Sequence, residues 1–405
     1  MKTIKTADDL AINGAAPLFD EPLHVGRPNI GDRERFLIRT NDMLDRGWLS
    51  NNGPYVQEFE QRVSDYLGVE HCIAMCNGTI ALEIATRALD LTGEVIVPSY
   101  SFVATAHALQ WQEITPIFAD IDASTHNLDP ASVLRMITPR TTGIVGVHLW
   151  GRPAAVVALQ AVADEHGLKL LYDASHGFGC SSGKRMLGCF GLCEVFSFHA
   201  TKFFNTFEGG AIVTNDAALA DKVRLMRNFG FAGYDNVIYP GTNGKMTEVS
   251  AAMGITNLEA LDTFVEINQR NYLCYRAGID AINDLDLLAY DESESNNYQY
   301  IVLEIGPGFP MTRDQIIEAL HAENVLARKY FWPGCHNMEP YRSYYPNAGL
   351  VLPNTMRVAE RVIVLPNGST INEHHIGGIL SILQALGSRN AQAKGLFRNV
   401  RAVNV

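Results

Sequence analysis

The segment EVFSFHATKFFNTFEGGAIVTND, residues 194–216, contains two apolar runs separated by a loop with one lysine. The runs EVFSF and GGAIVTND are apolar almost throughout, which is typical of strands that are buried on both faces of a sheet. We therefore predict two strands joined by a loop that carries Lys202. Glu208, Gly209 and Gly210 predict the turn by which the chain re-enters the sheet.

Four more runs upstream predict strands of the same sheet: EVIVP, TPIFADID, TTGIVGVHL and LKLLYDA. Helical patterns separate several of them, as in TIALEIATRALDL, where apolar residues recur with the period of a helix. Alternating strands and helices predict an α/β fold with a mainly parallel sheet that helices cover on both faces. Ligands bind at the carboxyl ends of the strands in such sheets, so the residues after each strand are the candidates for chemistry.

The alternating pattern changes beyond residue 250. A long helical region, residues 251–282, leads there into a looser mixture of strand, helix and an aromatic loop. We predict an N-terminal arm and a large domain over residues 1–265, followed by a smaller C-terminal α+β domain over residues 266–405. Two domains agree with a prior of roughly 100–200 residues per domain for a chain of 405 residues.

The charge of the chain limits its partners. The formal net charge is −12, from 32 basic and 44 acidic residues. This balance lacks the basic surface that nucleic acids or anionic membranes require. No apolar run approaches the roughly 18–20 residues of a membrane span, and the first residues lack the order of a signal peptide. We expect a cytoplasmic protein that binds neither nucleic acid nor membrane.

The seven cysteines cannot all pair with one another, so we expect reduced thiols. Two Cys-x-x-x-Cys spacings occur, Cys72 with Cys76 and Cys189 with Cys193, and a zinc site could in principle join them. Zinc sites usually couple such pairs through a loop of defined length, which is missing here. We predict small buried apolar side chains and no metal site.

Polar residues follow two of the predicted strands. Gly78 and Thr79 open a helix, so their backbone amides suit a phosphate, although such a pair is equally common as a plain helix cap. Asp173 follows LKLLY, and a carboxylate at the mouth of a buried strand needs a partner that favours its charge. A helix cap, a metal ion and a protonated heterocycle all remain open as that partner.

Lys202 is flanked by Phe198, Phe203 and Phe204. Apolar surroundings disfavour the ammonium form and lower the pKa of the amine, and a neutral amine is a nucleophile towards carbonyls. A phosphate cradle, a strand-end carboxylate and such a lysine at one sheet edge match the needs of pyridoxal 5′-phosphate. This cofactor requires a phosphate anchor, an acid partner for its ring nitrogen and a Schiff-base lysine.

Several motifs occur in the order found in one known family: NGTIAL, PSYSFVAT, DASHGFG, SFHATKFFNTFEGGAIV and GTNGKMTEVSAAMG. From VGRPNIGDRE to VIVLPNGST the chain resembles the sugar aminotransferases of the DegT/DnrJ/EryC1/StrS family. The resemblance implies an aspartate-aminotransferase-like fold, which is fold type I of the pyridoxal phosphate enzymes. It also implies an enzyme that transfers an amino group to a nucleotide-linked keto sugar in deoxyamino-sugar biosynthesis, for an antibiotic or a polysaccharide.

The resemblance implies a role for each cofactor residue. Lys202 is the catalytic residue, which binds the cofactor covalently and moves the proton between substrate and cofactor. Asp173 pairs with the ring nitrogen, and Phe102 stacks on the ring, with a plain core aromatic as its alternative role. Ser197 binds the phosphate together with the helix-start amides.

Two further assignments follow from the same resemblance. His176 replaces a glutamine that contacts the cofactor's phenolic oxygen in many members, and histidine can donate the same hydrogen bond. Asn243 in GTNGKM reaches the phosphate of the neighbouring subunit, which implies a homodimer with composite active sites. A related branch, the sugar 3-dehydratases, has histidine in place of Lys202, so transamination is the expected chemistry here.

The segments HVGRPNIGDRE and ARKYFWPGCHNMEPYRS resemble aminotransferases that act at C4 of dTDP-4-dehydro-6-deoxy-D-glucose with L-glutamate as donor. The sugar-nucleotide pocket would then include Tyr330, His336, Tyr341 and Asn29, although so aromatic a loop could instead pack the small domain. Two alternatives remain: a 3-aminotransferase of a 3-keto sugar nucleotide, and a non-catalytic protein that binds the cofactor. No arginine stands out as the ligand of the glutamate carboxylate, the candidates being Arg227, Arg328 and Arg342.

Overall fold

The structure is a computed structural model that describes residues 2–388, so residues 389–405 of the predicted small domain lie outside it. The α-helices of this part are α1 (Arg33–Arg46), α2 (Pro54–Leu67), α3 (Gly78–Ala88), α4 (Ala104–Gln110), α5 (Pro130–Met136), α6 (Val156–His166), α7 (Ala217–Arg227), α8 (Glu248–Leu258), α9 (Leu261–Ile279), α10 (Arg313–Ala322), α11 (Tyr341–Tyr344), α12 (Pro353–Ala359) and α13 (Glu373–Gly387). The strands are β1 (Leu23–His24), β2 (His71–Met75), β3 (Glu94–Pro98), β4 (Thr115–Ala119), β5 (Thr141–Val147), β6 (Lys169–Asp173), β7 (Ser181–Ser182), β8 (Arg185–Met186), β9 (Cys193–Ser197), β10 (Gly210–Thr214), β11 (Leu285–Leu287), β12 (Ile301–Ile305), β13 (Val325–Leu326) and β14 (Val362–Leu365).

Seven strands form the large sheet, in the order β2-β10-β9-β6-β5-β3-β4. In this sheet β10 runs opposite to the other six strands, which are parallel to one another, so the predicted mainly parallel sheet is confirmed. Successive residues of each strand point to opposite faces. In β2, Ile73 packs with helices α3, α4 and α7, whereas Ala74 packs with α2 and α8 on the other face. The apolar runs are thus explained by helices on both faces.

The predicted boundary at residue 265 falls inside a continuous helix. The helical region predicted over residues 251–282 forms two helices, α8 and α9, and α9 spans the boundary. Its first turns pack in the large domain through Leu261 and Phe264. Its later turns pack in the small domain through Tyr272 and Tyr275. The helix therefore belongs to both domains, and no loop separates them at this point.

The N-terminal arm packs against the small domain rather than the large one. Apolar side chains of residues 4–23 belong to the small-domain core, and β1 pairs with β13 in parallel. The buried carboxylate of Glu323 anchors the arm, because it accepts hydrogen bonds from Lys2 Nζ (3.0 Å) and from the amides of Ala11 and Leu18 (both 2.6 Å). The core of this domain also contains the antiparallel sheet β11-β12-β14 together with α9, α10 and α13.

The two domains meet at the carboxyl ends of the large sheet. Tyr100 and Trp150 from the large domain pack there with Tyr300, Val302 and Phe331 from the second half of the chain. The small domain therefore covers the edge at which the predicted site residues lie.

All seven cysteines have free thiols. Burial raises the pKa of the Cys193 and Cys180 thiols to about 12, which makes them poor metal ligands and poor nucleophiles. Within residues 2–388, no group of three or more histidine, cysteine or acidic side chains is arranged to hold a metal ion. In the same part of the chain, no helix has the length and apolar character to cross a bilayer.

Candidate active site

A cavity of about 610 Å³ opens at the carboxyl ends of β5, β6 and β9 and at the start of α3. Most of the residues predicted to form the site line this one cavity: Gly78, Thr79, Phe102, Asp173, His176, Ser197, Lys202 and Tyr330. They come from five separate segments of the chain, which the sheet topology brings together.

The start of α3 forms an anion cradle. Asn77 caps the helix by accepting a hydrogen bond from the amide of Ile80 (2.8 Å). The amides of Gly78 and Thr79 belong to the first turn, so no carbonyl within the helix accepts from them. A Cβ added at Gly78 would lie 2.9 Å from the Cβ of Ser197, the last residue of β9. Glycine is therefore needed for this close approach, which places a hydroxyl beside two amides at the positive end of a helix.

Asp173 is the last residue of β6, and its side chain is held by three donors. Oδ1 accepts hydrogen bonds from the amide (3.1 Å) and hydroxyl (2.5 Å) of Ser175, and Oδ2 accepts one from Thr105 Oγ1 (2.8 Å). The residue is only 5% exposed. The carboxylate does not cap a helix in this arrangement and lies at the cavity wall, where it suits a protonated ring nitrogen.

Lys202 lies in the loop between β9 and β10. Phe198, Phe203 and Phe204 point into the core of the large domain. Burial lowers the pKa of the Lys202 amine to about 8, and the nearby carboxylate of Asp173 partly offsets this effect. The structure thus agrees with the predicted lowering of the amine pKa. Near neutral pH a sizeable fraction of the amine is uncharged and able to react.

His176 is held as a neutral hydrogen-bond donor. Its Nδ1 accepts a hydrogen bond from the amide of Trp150 (3.2 Å), so the ring proton lies on Nε2. Burial, with a smaller effect of Lys202, holds the pKa of His176 well below its usual value. The residue lines the cavity, to which it can offer the Nε2 proton.

Two aromatic side chains form open walls of the cavity. Phe102 is 58% exposed, which is unusual for phenylalanine and suits a platform for a flat ring. Tyr330 stacks on Phe331 with ring centroids 5.1 Å apart. The guanidinium of Arg328 lies 4.9 Å from the Tyr330 ring centroid, whereas Arg227 is ion-paired with Glu60. Arg342 also has a carboxylate partner, so of the three candidate arginines Arg328 is the one that contacts a cavity residue, Tyr330.

Three predicted substrate residues do not line the cavity. His336 binds Ser99 Oγ through Nδ1 (2.6 Å), and the Tyr341 hydroxyl lies 2.7 Å from His107 Nδ1. Asn29 donates to the carbonyl of Phe203 (2.9 Å) and accepts from the Ser369 amide (3.0 Å). All three are buried, and their polar atoms are engaged within the protein. Their contact with substrate stays a prediction.

Asn243 is exposed and does not line the cavity of its own chain. Its backbone forms an isolated antiparallel β-bridge with Asn228. Its contact with the cofactor phosphate of a neighbouring subunit stays a prediction.

Sequence patterns did not indicate several cavity residues, among them Tyr300, Phe331, Ser175 and Thr201. Tyr300 directly precedes β12, and its ring packs on His176 with centroids 4.6 Å apart. It follows no strand of the large sheet, so the search at strand ends could not find it. Ser175 lies in the motif DASHGFG, where its contact with Asp173 could have been anticipated from the spacing of two residues.

The residues present fit pyridoxal 5′-phosphate. The cradle at α3 suits its phosphate, Asp173 its ring nitrogen, Phe102 its ring face, and the low-pKa amine of Lys202 its aldehyde. Each of these groups has the chemistry that one part of the cofactor needs, and all of them line the same cavity.

Comparison with known proteins gives a consistent result. The DegT/DnrJ/EryC1/StrS aminotransferase family model matches residues 31–384. The dTDP-4-amino-4,6-dideoxy-D-glucose transaminase of Escherichia coli is 36% identical to this chain over 366 residues, covering 90% of the chain and 98% of that protein. A GDP-perosamine synthase of Caulobacter vibrioides is 34% identical, covering 79% and 86%.

Solved structures agree with the predicted fold. The crystal structure of DesI in the presence of its TDP-sugar product has a TM-score of 0.93 and 47% sequence identity, covering 97% of this chain and 100% of that one. PseC of Helicobacter pylori, an aminotransferase involved in pseudoaminic acid biosynthesis, has a TM-score of 0.84 and 26% identity, covering 91% and 99%. The aspartate-aminotransferase-like fold is thereby confirmed.

Proposed function

The chain belongs to the DegT/DnrJ/EryC1/StrS aminotransferase family, and we propose that it aminates C4 of dTDP-4-dehydro-6-deoxy-D-glucose with L-glutamate as donor. The predicted enzyme class and cofactor are confirmed, since the chain is a pyridoxal phosphate-dependent aminotransferase of sugar nucleotides. The non-catalytic alternative is therefore set aside. The product would be dTDP-4-amino-4,6-dideoxy-D-glucose.

In this proposal each cavity residue holds one part of the cofactor. The amides of Gly78 and Thr79 bind the phosphate together with Ser197 Oγ. Asp173 keeps the ring nitrogen protonated, and the Nε2 proton of His176 is donated to the ring oxygen. When bound, the cofactor supplies an electron sink that stabilises negative charge on the substrate carbon.

Lys202 moves the proton in both half-reactions of the proposal. Its neutral Nζ takes the α-proton of glutamate, and in the second half-reaction the same Nζ delivers a proton to C4 of the sugar. An amine with a pKa of about 8 suits both steps, because neither protonation state is rare near neutral pH. Since the amino donor leaves before the sugar reacts, we expect ping-pong kinetics.

The likeness to DesI supports the sugar assignment more than any other observation. That structure was determined with a TDP-sugar product, and the two chains correspond over nearly their whole lengths. The likeness to a GDP-perosamine synthase supports a second candidate, in which the nucleotide base is guanine. Amination at C3 of a 3-keto sugar nucleotide remains the alternative regiochemistry.

The purified holoenzyme should be incubated with L-glutamate and a panel of dTDP- and GDP-linked 3-keto and 4-keto sugars. We expect turnover with dTDP-4-dehydro-6-deoxy-D-glucose and a C4 amine in the NMR spectrum of the product. Preference for the GDP sugar, or amination at C3, would replace the proposed substrate with one of the alternatives. L-Aspartate and L-glutamine serve as comparison donors, and a preference for either would overturn the glutamate assignment.

We also propose a homodimer in which Asn243 of the partner subunit reaches the phosphate cradle. Exposed apolar side chains support an interface between copies, since α1 carries Ile38 (66% exposed) and the Asn243 loop carries Val237 (56%) and Ile238 (51%). Surfaces with several such residues are typical of interaction sites.

Mixed dimers test this arrangement directly. Subunits with Lys202→Ala and subunits with Asn243→Ala should each be nearly inactive alone, and together they should form dimers with one intact site. Random mixing in equal amounts should restore about one quarter of the wild-type activity, because half of the dimers are mixed and each has one working site. If Asn243 acts within its own chain, mixing restores nothing.

The cytoplasmic location predicted from the sequence belongs to the same proposal. It is supported by the seven free thiols, which a reducing compartment preserves. Cell fractionation followed by an activity assay tests it, and activity confined to a membrane or exported fraction would overturn it.

A further inference from the structure

Trp150 contacts His176 in two ways. It lies just after β5, has a left-handed backbone conformation with φ of 64°, and is fully buried. Its amide donates to His176 Nδ1 (3.2 Å), and its ring stacks on the His176 ring at an interplanar angle of 22°, with centroids 6.0 Å apart. The position of the Trp150 backbone therefore determines which nitrogen of His176 carries the proton.

The indole of Trp150 is held in turn by His126. Trp150 Nε1 can only donate, and it donates to His126 Nδ1 at 3.2 Å. The ring proton of His126 consequently lies on Nε2, which is buried and has no hydrogen-bond partner within normal range. The atom facing it is Glu304 Oε2 at 3.6 Å. Glu304 lies on β12 of the small domain, and the His126 ring lowers the pKa of its carboxyl.

These contacts form a chain with one direction. The carboxylate of Glu304 attracts the Nε2 proton of His126, whose Nδ1 accepts from the indole of Trp150. The backbone amide of the same Trp150 donates a hydrogen bond to Nδ1 of His176. This arrangement assigns one tautomer to each of the two histidine rings, with the proton on Nε2 in both. Nε2 of His176 is therefore the donor that faces the cavity.

We propose that Trp150, His126 and Glu304 are positioning residues that hold His176 as an Nε2 donor to the cofactor's ring oxygen. Glu304 belongs to the small domain and does not itself contact the cofactor in this proposal. It acts on the electronic state of the cofactor through His126, Trp150 and His176. This inference rests on the role given to His176 under the proposed function. The variants below separate a failure of that role from a failure of the chain of contacts.

The experiment uses the cofactor-loaded protein and needs no sugar substrate. His126→Phe keeps an aromatic ring and removes the acceptor for the indole, and Trp150→Phe keeps a ring and the amide but removes the indole donor. For each variant, the visible band of the bound cofactor is titrated with pH, and its dissociation constant is measured by reconstitution. A turnover assay is not required for either measurement.

We expect both variants to raise the pKa of the visible transition by about half a unit to one unit. The reason is that a misoriented His176 stabilises negative charge on the ring oxygen less well. The dissociation constant of the cofactor should rise about three- to tenfold, as for one weakened hydrogen bond. His176→Phe should shift the transition in the same direction by a larger amount. The double variant that carries both His126→Phe and His176→Phe should shift it by less than the sum of the shifts of these two single variants.

Two further variants test the links individually. His126→Asn offers an acceptor near the position of Nδ1 and tolerates the residue's φ of 62°, so it should restore most of the wild-type titration. Glu304→Gln removes the charge with little change of shape and should cause a smaller shift in the same direction. An unchanged titration for Glu304→Gln would overturn the link between the domains.

Tyr275→Phe is the matched control, because it removes a different buried hydrogen bond, from the Tyr275 hydroxyl to the Pro366 carbonyl (3.0 Å). It should leave the titration unchanged, and thermal unfolding shows that each variant is folded. If His176→Phe shifts the transition while His126→Phe and Trp150→Phe do not, the positioning role is overturned. If His176→Phe itself causes no shift, His176 does not contact the ring oxygen, and the assignment fails with it.

Discussion

Two aromatic loops border the cavity, and they orient their side chains in opposite ways. In the loop of residues 198–209, the phenylalanines flanking Lys202 pack into the core of the large domain. In the loop of residues 327–345, Tyr330 and Phe331 line the cavity, whereas Tyr341 packs into the core. The first loop buries the three phenylalanines nearest its lysine and leaves the amine of that lysine at the cavity. The second presents rings to the cavity.

The anchoring of the two loops explains this difference. The first loop joins two paired strands, with Gly210 opposite Ser197, so the sheet fixes both of its ends. A Cβ at Gly210 would lie 2.7 Å from the carbonyl carbon of Asn77. The end of the loop at Gly210 is therefore also packed closely against the anion cradle at the start of α3. The second loop starts in the small domain and packs across the large one through hydrogen bonds such as His336 to Ser99. The sheet thus fixes the position of Lys202 and of the cradle, whereas packing between domains fixes the aromatic rings of the second loop that line the cavity.

The largest effect is expected for Lys202→Ala. Loss of the proton-transferring amine should lower the rate of transamination at least about 10³-fold, while the phosphate cradle still binds the cofactor. Steady-state assays measure the rate, and borohydride reduction followed by mass spectrometry should detect no cofactor attached to the protein. Lys184→Ala, at an exposed site outside the cavity, is the matched control. Retained turnover in Lys202→Ala would falsify the central assignment.

Gly78→Ala should have the next largest effect. It tests the contact between the start of α3 and the end of β9. The added Cβ meets the side chain of Ser197 at 2.9 Å, so the helix start or the strand end must move. We expect the dissociation constant of the cofactor to rise about tenfold or more, with a smaller change in the free energy of unfolding. The control is Gly377→Ala in α13, where no atom lies within 4 Å of the added Cβ. Unchanged cofactor binding in Gly78→Ala would show that the cradle tolerates displacement.

The pH dependence of Lys202 tests its apolar surroundings. In the cofactor-free protein, reductive labelling of Lys202 by formaldehyde should rise about tenfold per pH unit up to about pH 8 and then level off. Asp173→Asn should move this midpoint to lower pH, because the carboxylate raises the pKa of the amine. Peptide mass spectrometry measures the labelling, with exposed Lys184 as internal reference. A midpoint near the ordinary value of 10.5 would contradict burial of the amine.

The same lowered pKa has a consequence for stability. Between about pH 8 and 10.5 the unfolded chain holds the Lys202 proton and the folded chain does not. The free energy of unfolding of the cofactor-free protein should therefore rise with pH across this window through Lys202. Lys202→Met should remove that part of the pH dependence, as measured by urea unfolding at several pH values.

The sheet and the cofactor end of the site could be predicted because the information is local. Each central strand is apolar throughout, and Asp173, Ser197 and Lys202 occur at or just after strand ends. The positions of Tyr300 and of the N-terminal arm could not be predicted in this way. Tyr300 reaches the cavity through packing between domains, and the arm depends on Glu323, which in the sequence is only one charged residue after a helix. The boundary predicted at residue 265 falls inside α9, because the helical periodicity continues across that residue while the alternation of strands and helices ends near it.

The smallest effects are expected for two tyrosines of the second loop, Tyr330 and Tyr341, and they should differ in kind. Tyr330→Phe removes a hydroxyl at the cavity, so KM for the sugar nucleotide should rise about three- to tenfold with kcat little changed. Tyr341→Phe removes a contact with His107 in the core and should instead lower the free energy of unfolding by about 1 kcal/mol. Kinetics and urea unfolding of both variants are compared. A raised KM in Tyr341→Phe would favour the direct substrate contact that the sequence suggested, and it would show that this loop changes its packing when the sugar nucleotide binds.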